Sequence, residues 1–182
     1  MAHPEHLARL LAGVAEWNAW RAAGRLIEVD LRGADLTGAD LRGADLWYAK
    51  LQHADLSVAR LEGAVLDRAD LTLADLRHAN LFRARLRGAL LDHALLRSAA
   101  LVEADLTLAK VTEADIDGAI FTDAIVWGTN FFGSAVDSAH GLDVTAGWIQ
   151  EESGVPRRDA SVFAIERRDS VWHNGHRRAS GA

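Results

Sequence analysis

Every fifth residue from position 26 to position 136 is apolar. The series holds leucine from Leu26 to Leu106 and continues as Val111, Ile116, Phe121, Val126, Phe131 and Val136. Two positions before almost every one stands a small residue, alanine from Ala34 to Ala124 and then Thr129 and Ser134. A period of five fits neither the 3.6 of a helix nor the 2.0 of a strand. On an α-helix each step of five turns the residue by ~140° net, so no stripe survives. A closed polygon keeps it. If one five-residue word makes one side, every side turns its large and its small apolar residue inward and then rounds a corner. Four sides make a coil, and coils stack at the ~4.8 Å spacing of hydrogen-bonded strands. Such a stack buries a core only through its neighbours.

The words Ala34-Asp35-Leu36, Ala39-Asp40-Leu41, Ala44-Asp45-Leu46, Ala54-Asp55-Leu56, Ala69-Asp70-Leu71, Ala74-Asp75-Leu76, Ala79-Asn80-Leu81 and Ala104-Asp105-Leu106 resemble the pentapeptide-repeat family, whose word is A(D/N)LXX. The resemblance covers about 60% of the chain and implies an all-β solenoid, a right-handed quadrilateral β-helix. Twenty-three words make just under six coils, a rod roughly 26 Å long at the strand spacing.

Three segments are expected: 1–25 as an N-terminal capping helix, 26–136 as the β-helix, and 137–182 as a C-terminal cap or dimerisation segment with a loose tail. Leu7, Leu10, Leu11, Val14 and Trp17 or Trp20 form the stripe of one amphipathic helix from Pro4 to Ala23. Pro4 suits its first turn and Gly24 its stop. Trp17-Asn18-Ala19-Trp20-Arg21 resembles a phrase that precedes the repeats in bacterial members, and its tryptophans are read as a plug for the first coil. Toward the other end a short helix is expected around Val144 to Glu152, a strand over Ser161 to Ile165, and a loose tail from Arg167.

With 182 residues, 49% of them hydrophobic, the chain suits one domain with a core. It has no cysteine, which removes disulfides and thiolate chemistry. No apolar run reaches the ~20 residues of a membrane span, and no signal peptide is visible, so cytoplasmic residence is expected. The net charge of −6 belongs to the rod, where residues 26–136 hold 17 acids and 11 bases. That balance argues against direct nucleic-acid binding and leaves the rod free for a basic partner.

Outward positions recur every twenty residues, giving columns such as Asp35, Asp55, Asp75, Leu95, Asp115. On an open wall no cleft raises a carboxylate pKa, and aspartate in the word is read as bonding the local backbone. His53 and His93 share a column but lie ~9.6 Å apart, too far to share a metal. His173 and His176 are three apart in the expected tail. Gly33, Gly38 and Gly43 fall at repeat corners and do not form a phosphate loop. No catalytic residues, metal site or cofactor are expected, and the protein is read as no enzyme. Leu90, Leu95, Ala100, Phe82, Val102, Ile120, Ile125 and Trp127 depart from the polar outward pattern. They suggest contact with the C-terminal segment, a second copy or another partner. A possible homodimer through the C-terminal coils would use Trp127, Phe131 and Phe132. Arg77 and Arg97 share one column, and Arg83, Arg85 and Arg87 crowd one stretch as a solvated stripe.

Resemblance to the family implies a non-enzymatic interaction rod. Some members protect DNA gyrase from poisons as acidic mimics of DNA. On that reading the partner is gyrase or another topoisomerase and the binding residues are the acidic wall of Asp35, Asp40, Asp45, Asp55, Asp70 and Asp75. Duplex DNA carries one charge per ~1.7 Å and this rod about one per ~4 Å, so the mimicry would be partial. The alternative is a scaffold docking some other protein.

Overall fold

The structure is a computed structural model, and it describes residues 1–24, 27–144, 149–150 and 156–157. Leu26, the segments 161–165 and 167–182, and His173 with His176 lie outside the described residues.

Each word closes a turn and joins its neighbours above and below. In the word centred on Leu36, Leu36 N donates to Asp55 O at 2.8 Å, Gly38 N to Ser57 O at 2.9 Å, and Ala39 N back to Leu36 O at 3.0 Å. Asp55 N in turn donates to Ala34 O at 2.9 Å. Parallel bridges therefore link each i−1 residue to the one twenty positions on, from Asp30 with Lys50 to Ile120 with His140. Twenty residues and four turns make a coil. The bridges are isolated contacts and not extended strands, because each side turns after one paired residue.

Four of the five amides are thereby satisfied, and the residue just after the central leucine is left over. Aspartate or asparagine at i−1 supplies its acceptor. Thr37 N donates to Asp35 Oδ1 at 3.1 Å, Ser57 N to Asp55 at 2.9 Å, Thr72 N to Asp70 at 3.0 Å and Phe82 N to Asn80 Oδ1 at 3.1 Å. The acidic letter of the word is a backbone acceptor.

Inside, the leucines and alanines form one continuous core, with Leu31 through Leu106 essentially without solvent exposure. Where the small position becomes polar it bonds at once: Thr129 Oγ1 donates to Leu106 O at 2.7 Å and Ser134 Oγ to Val111 O at 2.7 Å.

Corner residues sit at positive φ. Gly33, Gly38 and Gly43 do so at 62–67°, as expected of corners, but thirteen non-glycine residues among those described share the conformation, including Val58 at 60°. A β-branched side chain there is strained by ~1–2 kcal/mol. Val58 is exposed, so trimming it loses little packing. Val58→Asn is expected to stabilise the fold by about 1 kcal/mol, read as a higher urea midpoint at unchanged slope. An unchanged or lower midpoint contradicts the strain.

At the N-terminal end the expected single helix is two, α1 (Pro4–Ala12) and α2 (Val14–Ala23). The break is Gly13, whose φ of 144° and ψ of 146° only glycine adopts freely. Gly24 ends α2 without turning left-handed, at φ −125°. A Cβ on it would meet Ile27 Cδ1 at 2.4 Å, the tip of an exposed side chain that can turn aside.

At the other end the register holds to Ser134, with Glu113 N donating to Phe132 O at 2.7 Å and Ser134 N to Phe131 O at 3.0 Å, and is then interrupted. Val136–Ser138 form a 3-10 turn in place of a regular side, and Val136 is only half-buried. The ladder resumes at His140, whose amide donates to Ala119 O at 2.7 Å. The helix expected over Val144 to Glu152 is not observed at Ile149–Gln150. Those residues form β1, paired antiparallel with β2 (Pro156–Arg157).

Candidate functional site

Four outward walls follow from the twenty-residue coil. Wall 1 carries the words centred on Leu31, Leu51, Leu71, Leu91, Val111 and Phe131, and walls 2, 3 and 4 begin at Leu36, Leu41 and Leu46. The six aspartates read as one acidic wall are distributed over all of them. Asp35, Asp55 and Asp75 are successive bridge partners on wall 2, while Asp70 lies on wall 1, Asp40 on wall 3 and Asp45 on wall 4. Their period within a coil is five, so consecutive copies of the word necessarily face different ways.

Most of these carboxylates are already engaged. Asp40 receives Arg42 at 2.6 Å and Arg60 at 3.5 Å, and the Arg42 hydrogen bond brings its pKa down to about 2. Asp75 receives Arg77 at 2.5 Å, and that side-chain bond holds its carboxyl below the ordinary value. Asp35 is lowered by its bonds from Thr37. Asp45 lies 3.9 Å from Arg21, Asp55 accepts Ser57 Oγ at 2.6 Å, and Asp70 accepts Gln52 Nε2 at 2.5 Å. Wall 2 is nevertheless the most acidic, with Asp35, Asp55, Asp75, Asp115 and Asp117 against Arg77 and Arg97. Arg97 pairs across coils with Asp117 at 2.5 Å.

The outward apolar residues do not form one cluster. Leu90 is on wall 1, Leu95 on wall 2, Phe82, Ala100, Val102 and Ile120 on wall 3, and Ile125 with Trp127 on wall 4. Phe131 cannot anchor a partner. It occupies an inward position, is 1% exposed and packs edge-to-face on Phe121 at 6.1 Å. Phe132 is half-buried, and Trp127 is open, 60% exposed.

The tryptophan phrase does more than fill space. Trp17 is fully buried and its Nε1 donates to Asp45 O at 2.8 Å. Asn18 grips both Gly43 O at 2.9 Å and Asp45 N at 2.8 Å. Arg21, also buried, reaches Ile27 O at 3.0 Å and Trp47 O at 2.7 Å. Trp20 is the peripheral one, stacked between Trp17 at 5.1 Å and His6 at 5.3 Å. Trp47 and Tyr48, set at right angles with centroids 4.3 Å apart on wall 4, are surface aromatics that the sequence reading passed over. Their place after the central Leu46, where no other word puts two aromatic residues side by side, was the available signal.

Among the described residues no three His, Asp or Glu side chains gather as a metal set, and no helix is long and apolar enough to cross a membrane. Fold and surface thus define a repeat solenoid with open walls. Pentapeptide repeats match in eight copies over residues 25–57, 54–92 and 99–134. The chain belongs to the pentapeptide-repeat family, and its solenoid is a right-handed β-helix.

Among solved structures it is similar to the pentapeptide repeat protein Rfr23 of the cyanobacterium Cyanothece, at 34% identity over 47% of this chain and 58% of that one, TM-score 0.47. It is also similar to HetL of the cyanobacterium Nostoc, a protein involved in heterocyst differentiation regulation, at 30% identity over 72% and 65%, TM-score 0.26. The chain therefore spans less than two thirds of the length of either. QnrB1, a plasmid-mediated fluoroquinolone resistance protein, matches at 20% identity over 73% and 82%, TM-score 0.34. No curated protein matches the chain.

Proposed function

We propose that this protein is a non-enzymatic cytoplasmic docking rod, in which residues 1–25 cap the first coil, 26–136 present the walls, and 137–182 close the far end. The observation that carries the reading is the surface itself. A rigid core holds columns of side chains at fixed spacing on open walls, and opposite charges already pair on them. An exposed carboxylate locked to an arginine exerts little long-range field. The rod therefore suits recognition of a shaped protein surface better than imitation of duplex phosphate. Family members generally serve as structural or interaction proteins.

One observation keeps the gyrase reading as a second possibility: the ladder of Asp35, Asp55 and Asp75 on wall 2, extended by Asp115 and Asp117. Hydroxyl-radical footprinting of the full chain in a lysate of its source, against buffer, tests both. Protection concentrated on one wall is the expected result, and equal reactivity everywhere overturns the docking rod. Protection of wall 2 by purified gyrase, with supercoiling preserved under a quinolone, would replace the scaffold by the DNA mimic. Neither inhibition nor protection at large molar excess removes gyrase as partner.

A further inference from the structure

Wall 4 shows solvent a different chemistry from the other three. Two adjoining hollows run along it and share Trp47. One of about 840 Å³ lies between α2 and Arg85, and one of about 460 Å³ is lined by Arg68, Arg87 and Leu108. By number the wall is neutral, with Asp45, Asp67 and Asp105 against Arg68, Arg85 and Arg87. Burial sorts the two signs at Asp67 and Asp105, while Asp45, 39% exposed, faces the buried Arg21. The Asp67 side chain is 11% exposed and its partner Arg85 54%. Asp105 is 26% exposed and Arg87, 3.7 Å away, 58%.

Those carboxylates also serve the wall's own backbone. Asp67 Oδ1 accepts Arg87 N at 3.1 Å, standing in for the acceptor that Arg85 at i−1 cannot supply, and Asp105 accepts Thr107 N at 3.0 Å. What faces outward is guanidinium. Arg68 goes further, for it makes no ion pair among the described residues. It donates to the Tyr48 hydroxyl and lies 5.5 Å over that ring. Apolar surface flanks this cationic centre, Trp47 on one side and Leu108 on the other, both well exposed.

We propose that wall 4 docks an extended acidic segment of a partner protein, its carboxylates on Arg68, Arg85 and Arg87 and its apolar residues on Trp47 and Leu108. This rests on the docking-rod reading and names the wall and the chemistry of the partner. Trp47 and Leu108 lie three coils apart, ~14 Å, a span of about four extended residues. Tryptophan and arginine are the residue types that concentrate binding energy at protein interfaces. Charge complementarity selects the wall, since an acidic segment meets repulsion on the aspartate ladder of wall 2. Nucleic acid is disfavoured by the net charge of −6.

The test uses the full chain and fluorescence anisotropy with three labelled probes: the octapeptide Ser-Leu-Ser-Glu-Ser-Leu-Ser-Glu, whose Leu and Glu share one face when extended, the same peptide with Lys for Glu, and a short oligothymidylate. The Glu peptide is expected to bind at least ~10-fold more tightly than either of the others. Arg68→Glu should weaken it at least ~10-fold, while Asp75→Asn on wall 2 leaves it unchanged. Arg68 is outside the core, and Arg68→Gln, which keeps polarity without charge, should give an intermediate loss. Equal binding of the two peptides, tighter binding of the oligonucleotide, no binding at all, or indifference to Arg68→Glu each overturns the proposal. Footprint protection on another wall would show that only this assignment fails and the docking rod stands.

Discussion

Replacing Leu71 by Asp is expected to cost on the order of 5 kcal/mol of folding stability, enough to unfold most chains of this size. Leu71 has no measurable exposure and sits in the third coil of wall 1, with Leu51 and Leu91 on the coils below and above. Truncation alone would lose packing worth ~2–5 kcal/mol. The carboxylate adds a polar group with no partner in a lining of leucine and alanine. Its folded pKa must rise above the unfolded value of about 3.9. The sign then follows: the unfolded chain releases the proton more readily, so the penalty grows as pH climbs above about 4. Leu71→Asp should therefore lie closer to wild type at pH 4 than at pH 8 in urea unfolding. In a stack where each coil rests on its neighbours, the loss should also split one transition into two. A melting curve that matches wild type at both pH values contradicts the inward assignment.

The core was legible because one constraint repeats. A side that buries two of five residues must write large and small apolar letters at fixed spacing, and Leu31 through Leu106 leave no other register. The role of aspartate was legible too, since a short carboxylate beside a turn has one obvious amide to meet. What the period hides is everything that breaks it. A corner occupied by glycine announces itself, but Val58, Leu73 and Leu108 adopt the same φ because the ladder on both sides dictates it. Gly13 hid a helix break because the apolar stripe continues through it. Apolar enrichment at an end that needs a cap points to Phe131 as an interface residue, although its place in the series already turns it inward.

The acidic wall failed for a related reason. Aspartates clustered in sequence are adjacent on the rod only when they are twenty apart, so a run of Asp35, Asp40 and Asp45 winds round three walls. Column reading recovers wall 2 and, equally, the aromatic and arginine content of wall 4. It could not show that Asp67 is buried and Arg85 exposed, because that depends on which partner the backbone claims first.

Trp17→Ala is expected to destabilise the protein by ~3–5 kcal/mol, the range for deleting a buried tryptophan. The residue is wholly enclosed, and removing it also strips the indole donor from Asp45 O. Trp17→Phe keeps much of the packing and should cost less, about 1–2 kcal/mol including the lost hydrogen bond. Trp20→Ala should cost less than Trp17→Ala, because Trp20 is only partly buried at the edge of the core, against Trp17, His6 and the Arg9 guanidinium. The ordering distinguishes a plug from a partner surface, on which the more exposed Trp20 would matter for binding and neither residue much for folding. Location is a second readout. Asn18 and Arg21 stay tied to Gly43 and Trp47 only while α2 holds its seat, so hydrogen exchange in Trp17→Ala should accelerate first around residues 31–50. Protection in the coils beyond should fall later, since their core is sealed by their own neighbours. Acceleration spread evenly along the rod, or no loss of stability, would mean that the helices merely rest on the solenoid and do not close it.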